Sequence, residues 1–226
     1  MLAWSQAANA QTCRLALVLA LDVSGSVNSI EYAQQVNGLV SALNHPDVRA
    51  QILSGGGGAV ALTVFEWSSR NHQFVIQPWI VLDSPAKLDL TIDRIQSHRK
   101  IRAGLKTALG TALSFAASEL RDQSHCLQKT IDVSGDGENN IGSVPMQIYD
   151  NPAFDQITVN ALVIGDPGDE SVEQSKSKLL NYFETEVIHG SASFAMIAQG
   201  YDDYARAMRR KLVRELALPV LGWADF

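Results

Sequence analysis

The chain has 226 residues, 46% of them hydrophobic and 19% charged, which suits one well-packed globular domain and argues against the fibrous and disordered classes. A formal net charge of -6 and a pI near 5.3 argue against a nucleic-acid partner, because phosphate binding needs a basic face. No apolar run reaches the roughly 18 to 20 residues that a bilayer-crossing helix requires, so no transmembrane anchor is expected.

In chain order, residues 1–12 read as a flexible tail or the remnant of a signal peptide, since Ala8-Asn9-Ala10 is an A-x-A pattern of small residues. A globular domain is expected over 13–217, and a C-terminal tail over 218–226. "RLALVLALD" (Arg14 to Asp22) is a continuous apolar run, as in a strand buried on both faces. Helical spacing follows from Ser29 to Leu43, and "SGGGG" at Ser54 to Gly58 marks a turn that lacks the Lys-Ser/Thr of a phosphate loop. "AVALTVFEW" and "QFVIQPWIV", joined by "SSRNH", predict a hairpin whose second strand lies at an edge because of Pro78.

Ser84-Pro85 opens a helix to about Gln96, and a second helix spans Thr107 to Arg121. "CLQKTIDVSG" and Ile157 to Gly165 read as strands, Asp169 to Thr185 as a helix, Ser193 to Ala198 as a short strand and Tyr201 to Leu216 as a closing helix. Its basic cluster, "RAMRRKLVRE", reads as a solvent face, with Ala207, Met208, Leu212 and Leu216 turned inward. The alternation predicts an α/β doubly wound sheet of six strands, mostly parallel with one antiparallel edge strand, and helices on both faces.

Ligand sites in such sheets lie off the carboxyl ends of the strands, where strand order reverses. Asp-Val-Ser-Gly occupies two of those ends, at Asp22 to Gly25 and Asp132 to Gly135. In the first copy Asp22, Ser24 and Ser26 are spaced i, i+2, i+4, so one loop can turn three hard oxygen donors toward a point, and Gly25 eases the turn. Such donors suit Mg2+, with Mn2+ or Ca2+ as substitutes. The five histidines (His45, His72, His98, His125, His189) form no cluster with metal-ligand spacing, so no zinc site is expected.

Cys13 and Cys126 each stand upstream of one of these runs. If the runs are neighbouring parallel strands, both cysteines lie at one sheet edge within bridging range. A disulfide there would close a loop of 113 residues, for which chain entropy suggests about 4 to 5 kcal/mol, and would point to an oxidising compartment. Two unlinked thiols are the alternative.

"LALDVSGSV" resembles the Asp-x-Ser-x-Ser element of the metal-ion-dependent adhesion site in von Willebrand factor type A domains, and the element order is similar to theirs over nearly the whole chain. "GLKTALGTALSFA" is similar to that site's Thr element through Thr107, although Gly104-Leu105-Lys106-Thr107 departs from the family's Gly-Gly-Thr. "VSGDGENN" is similar to its Asp-Gly element through Asp136-Gly137. The resemblance implies a divalent cation held by Asp22, Ser24, Ser26, Thr107 and Asp136, with an open position that a carboxylate on a protein partner fills. Asp132 then falls within its strand, as a hydrogen-bonded structural residue or as support behind the ligands. Glu66 is expected in support or on the rim, or as an ordinary surface acid, and Asn139 and Asn140 on the binding face.

"VFEWSS", "PWI", "IDVSGDGENN" and "MRRKLVRELAL" resemble an uncharacterised group of exported bacterial proteins, which implies a periplasmic or secreted location without naming a partner. Oligomeric state is left open.

Two other classes stand beside the adhesion reading. One is a structural domain whose metal only stabilises the fold. The other is a metal-dependent hydrolase, but the Asp-x-Asp of haloacid dehalogenase-type phosphatases is Asp22-Val23-Ser24 here, and Ser24 cannot serve as the general acid at neutral pH. The Gly-x-Ser-x-Gly nucleophile elbow is also missing, so the expectation is a binding module and not an enzyme.

Overall fold

The structure is a computed structural model that describes residues 12–54, 57–101, 104–165 and 178–217. The segment 1–11, the tail expected at 218–226 and the first part of the helix expected over Asp169 to Thr185 lie outside these residues.

Six strands, β1 (Cys13–Asp22), β2 (Ala59–Trp67), β3 (Gln73–Val81), β4 (Gln128–Gly135), β5 (Ile157–Ile164) and β6 (Ala195–Ala198), form one sheet in the order β3-β2-β1-β4-β5-β6. All neighbours are parallel except β3, which runs antiparallel to β2 at the edge and carries Pro78 where a missing N–H is tolerated. The chain winds from β1 outward to β2 and later returns to place β4 on the other side of β1. The β1/β4 seam is therefore the switch point of the sheet.

The longer helices are α1 (Ser29–Asn44), α2 (Pro46–Leu53), α3 (Pro85–Ser97) and α4 (Leu109–Leu120), followed by a short α5 (Pro145–Ile148) and the closing α6 (Tyr204–Leu216). Asn28 starts α1 through a capping box: its side chain accepts from Ile30 N and Glu31 N, while Glu31 accepts from Asn28 N. His45 ends α1 in extended geometry because Pro46 follows, and Pro46 then opens α2. The periodicity of α2 is faint, with only Val48 and Ile52 buried, so the sequence gives it little signal. Residues 178–182 are helical and continue into a π-helical turn at Phe183–Val187.

Strand pleating separates two cores. Leu15, Leu17, Leu19 and Leu21 of β1 pack on the α1/α6 side, while Ala16, Val18 and Ala20 pack with Leu109, Leu113 and Ala116 of α4. Every residue of β1 is buried, as its unbroken apolar run requires. Cys13 and Cys126 are disulfide-bonded at the amino edge and close the 113-residue loop.

The closing helix departs from its expected amphipathic pattern at one position. Ala207, Met208, Leu212 and Leu216 are buried as expected, but Lys211 is 0% exposed in the middle of the basic cluster. Its Nζ lies 2.7 Å from Asp132 Oδ1 and 2.6 Å from Glu215 Oε1, and Asn160 Nδ2 donates to the same Glu215 oxygen at 2.7 Å. Periodicity places Lys211 on the inner face, and only tertiary carboxylates make that burial tolerable.

Candidate metal centre

Three loops converge at the carboxyl edge of the β1/β4 seam. The first leaves β1 at Asp22, which is 0% exposed. Asp22 Oδ1 accepts the Ser24 backbone N–H at 2.8 Å, turning the chain so that Ser24 Oγ and Ser26 Oγ come within 3.2 Å. Ser26 Oγ then donates to Asp136 Oδ1 at 2.7 Å, joining the loop after β1 to the loop after β4. Gly25 is needed here for a close approach and not for a left-handed backbone: a Cβ at this position would stand 2.9 Å from the carbonyl oxygen of Leu105.

That contact brings in the third loop. Thr107 stays outside α4, contrary to the helix start expected there, because its N–H donates to Asn140 Oδ1 at 2.9 Å. Asn140 Nδ2 donates to Thr107 Oγ1 at 3.3 Å, and Asn140 N donates to the Thr107 carbonyl at 2.9 Å. Asn139 Oδ1 accepts from Gly110 N at 3.3 Å, in the first turn of α4. Asn139 and Asn140 thus act as brackets that fix the Thr107 loop.

The second carboxylate, Asp136, is half-buried and also accepts from Tyr201 Oη at 3.1 Å on Oδ2. Tyr201, just before α6, carries no sequence signal for this role, being 65 positions downstream. Gln35 of α1 is a second contributor that sequence reasoning missed, donating Nε2 to the Asp22 carbonyl at 2.9 Å. Side chains of Ser26, Glu31, Gln34, Asp136, Tyr201 and Asp202 line part of a cleft of about 480 Å³ beside this cluster.

Burial, with Asp136 as a second negative charge nearby, pushes the Asp22 carboxyl up to about 7. Its Oδ2 is buried and has no hydrogen-bond partner among the described residues. Gly135 leaves room on that side, since a Cβ there would stand 3.6 Å from Asp22 Oδ2. A buried carboxyl oxygen without a partner among the described residues, beside hydroxyls and a second carboxylate, is an arrangement that a hard divalent cation would satisfy.

Asp132 and Glu66 meet partners outside this cluster. Asp132 is a structural residue, ion-paired with Lys211 on the α6 side. Burial, with Glu215 alongside, pushes its carboxyl well above the usual range, against the pull of Lys211. Glu66 is neither a surface acid nor a rim residue: it is 0% exposed, its Oε1 accepts from Tyr32 Oη at 2.5 Å, and His98 Nε2 lies 3.3 Å from the same oxygen. The local sequence of Glu66 suggests exposure beside Trp67, but β2 is covered on both faces, so its acid must find partners inside.

A family model described as a protein of unknown function, DUF1194, matches residues 12–220. No curated protein matches the sequence. Among solved structures, proximal thread matrix protein 1 from the mussel byssus, with a zinc-occupied MIDAS motif, superposes at a TM-score of 0.60 and 16% identity, over 91% of this chain and 46% of that one. The pilus adhesin SpaC from Lactobacillus rhamnosus GG in its open conformation gives 0.62 and 14%, over 90% and 30%, and a von Willebrand factor type A protein from Catenulispora acidiphila gives 0.56 and 16%, over 90% and 43%. The chain spans less than half the length of each of these three proteins. At such identities the likeness is one of fold, and it agrees with the strand order and helix layers described above. The chain belongs to the DUF1194 family and has the von Willebrand factor type A fold.

Proposed function

We propose that this chain, as one domain over 13–217, is a metal-dependent protein-binding module, exported to the periplasm or beyond, and not an enzyme. Asp22, Ser24, Ser26, Thr107 and Asp136 would hold one divalent cation, with Mg2+ the best match to an all-oxygen set. The observation that carries this reading is the buried, partnerless Asp22 Oδ2 beside the Ser26–Asp136 contact. A bound ion with only two anionic ligands would stay electrophilic and keep a coordination position for a carboxylate from a protein partner. The chain's own residues orient the donors: Ser24 N holds Asp22, Asn140 holds Thr107, and Tyr201 holds Asp136. A relative with a zinc-occupied MIDAS and a pilus adhesin among the fold neighbours support the same class of function.

Thermal melts in EDTA and in millimolar Mg2+ or Mn2+ test the metal. Wild type should gain about 2.7 kcal/mol at a hundredfold excess over Kd, and Asp22→Ala should gain nothing. Identical curves for both proteins in every condition would remove the metal from the account. Pull-downs from an envelope fraction separate the binding module from a domain in which metal only stabilises the fold. Partners released by EDTA support the former, whereas partners indifferent to it support the latter.

A further inference from the structure

At the edge of the sheet opposite the candidate metal centre, parallel pairing sets Cys13 at the start of β1 close to Cys126, just ahead of β4. Leu127 N donates to the Cys13 carbonyl at 3.0 Å and Cys126 N to the Gln123 carbonyl at 3.0 Å, so the backbone around both cysteines is held independently of their side chains. Both cysteines are buried, at 5% and 6% exposure, while the neighbouring His125 is exposed. His125 Nε2 lies 3.7 Å from Cys126 Sγ, and one ligand atom from each of Cys13, His125 and Cys126 falls within 4.8 Å of the others.

We propose that, when the disulfide is reduced, Cys13, Cys126 and His125 hold one Zn2+ ion, with water in the fourth position. Zn–S bonds of about 2.3 Å and a Zn–N bond of about 2.0–2.1 Å put tetrahedral ligand atoms roughly 3.5–3.8 Å apart. The imidazole and the Cys126 sulfur already stand at that spacing. The two sulfurs have to part, and once the bond between them is gone side-chain rotation can do this over a Cα separation of 4.5 Å.

The chemistry balances with an ordinary dithiol reductant. It gives two electrons and two protons to the S–S bond and leaves as its own disulfide, yielding two thiols on the protein. Zn2+ then takes both thiolates and releases two protons. Sulfur and imidazole donors select a softer ion than the oxygen set at the opposite edge does, so the two sites would not compete for Mg2+. The ion would close the same 113-residue loop that the disulfide closes, and the domain would keep its staple in a reducing environment. Sequence spacing hides this site because two of its ligands are adjacent and the third is more than a hundred positions away.

Co2+ is a suitable probe, because thiolate-to-cobalt charge-transfer bands cannot arise from oxygen ligands. Anaerobic titration of phosphine-reduced full chain should give those bands with tetrahedral visible absorption, saturating at one equivalent and bleached by one equivalent of Zn2+. The oxidised chain should give none. Cys126→Ser should abolish the bands, and His125→Ala, an exposed position that leaves the disulfide intact before reduction, should weaken binding at least tenfold. Absence of charge transfer in the reduced chain, or affinity unchanged in His125→Ala, overturns the site. If reduction alone unfolds the chain, one equivalent of Zn2+ should restore its circular dichroism, and failure to restore it counts equally against the proposal.

Discussion

Asp22–Gly25 and Asp132–Gly135 carry the same four residues at the ends of adjacent parallel strands, yet their carboxylates are treated in opposite ways. Asp132 meets Lys211 Nζ at 2.7 Å and is neutralised from within the chain. Asp22 receives the Ser24 N–H on Oδ1, and its Oδ2 has no partner among the described residues. Both are buried, and burial pushes both carboxyls up. Register explains the difference: Leu21 sits opposite Ser134, so Asp22 falls beside Gly135, three positions on from Asp132. An odd offset places the two aspartates on opposite faces of the sheet. Asp132 therefore points toward α6, which supplies a lysine, whereas Asp22 keeps the phase of the α4 side at the strand end, where α4 brings no cation to it. The same phrase yields an internal ion pair on one face and, on the other, a buried carboxyl whose Oδ2 has no partner among the described residues.

Removing the internal cation should have the largest effect. Lys211→Met leaves Asp132 and Glu215 buried without their shared partner and should cost about 3–5 kcal/mol, read as a fall in Tm of roughly 10 °C. A loss below about 1 kcal/mol would mean that the two acids are held neutral without the lysine, and the contrast with Asp22 would collapse.

Acidity should reveal the other side of the comparison at similar size. The folded metal-free protein keeps the Asp22 proton up to about 7, while the unfolded chain releases it near 3.8. Protonation thus favours the fold, and its contribution is present at low pH and lost as pH rises through that window. The loss amounts to about 4 kcal/mol between those limits. Urea titrations at several pH values, compared with Asp22→Asn, should show this slope in wild type alone, and saturating Mg2+ should restore most of the lost stability above pH 7. Parallel pH profiles for the two metal-free proteins would place the Asp22 proton elsewhere.

A smaller effect should come from the bracket on the third loop. Asn140→Ala strips Thr107 of a side-chain acceptor for its N–H and a donor to its Oγ1, and should cost about 1–2 kcal/mol. Isothermal titration should find Mg2+ affinity several-fold weaker, with the stoichiometry unchanged. Unaltered affinity would remove Thr107 from the proposed ligand set.

Much of the architecture was legible because strong local signals agreed with one another. The run before Asp22 is apolar without interruption, as a strand covered on both faces must be, and Ser84-Pro85 and Pro78 punctuate α3 and β3 where their backbone chemistry allows. The disulfide was legible only as geometry conditional on strand adjacency. The helix α2 was not, since two buried residues in eight make no readable stripe.

By itself the sequence determined the alternation of strand and helix, the carboxyl edge as the place where both Asp-Val-Ser-Gly runs lead out, and the oxygen-donor character of Asp22, Ser24 and Ser26, because all three follow from periodicity and side-chain type over a few residues. Tertiary structure alone decided that Glu66 is enclosed by Tyr32 and His98, which carboxylates meet the buried Lys211, that Tyr201 holds Asp136, and that the two Asp-Val-Ser-Gly copies face opposite ways. Each of these depends on strand register or on partners 30 to 110 positions apart, and neither composition nor local spacing encodes which distant side chain a buried charge will meet.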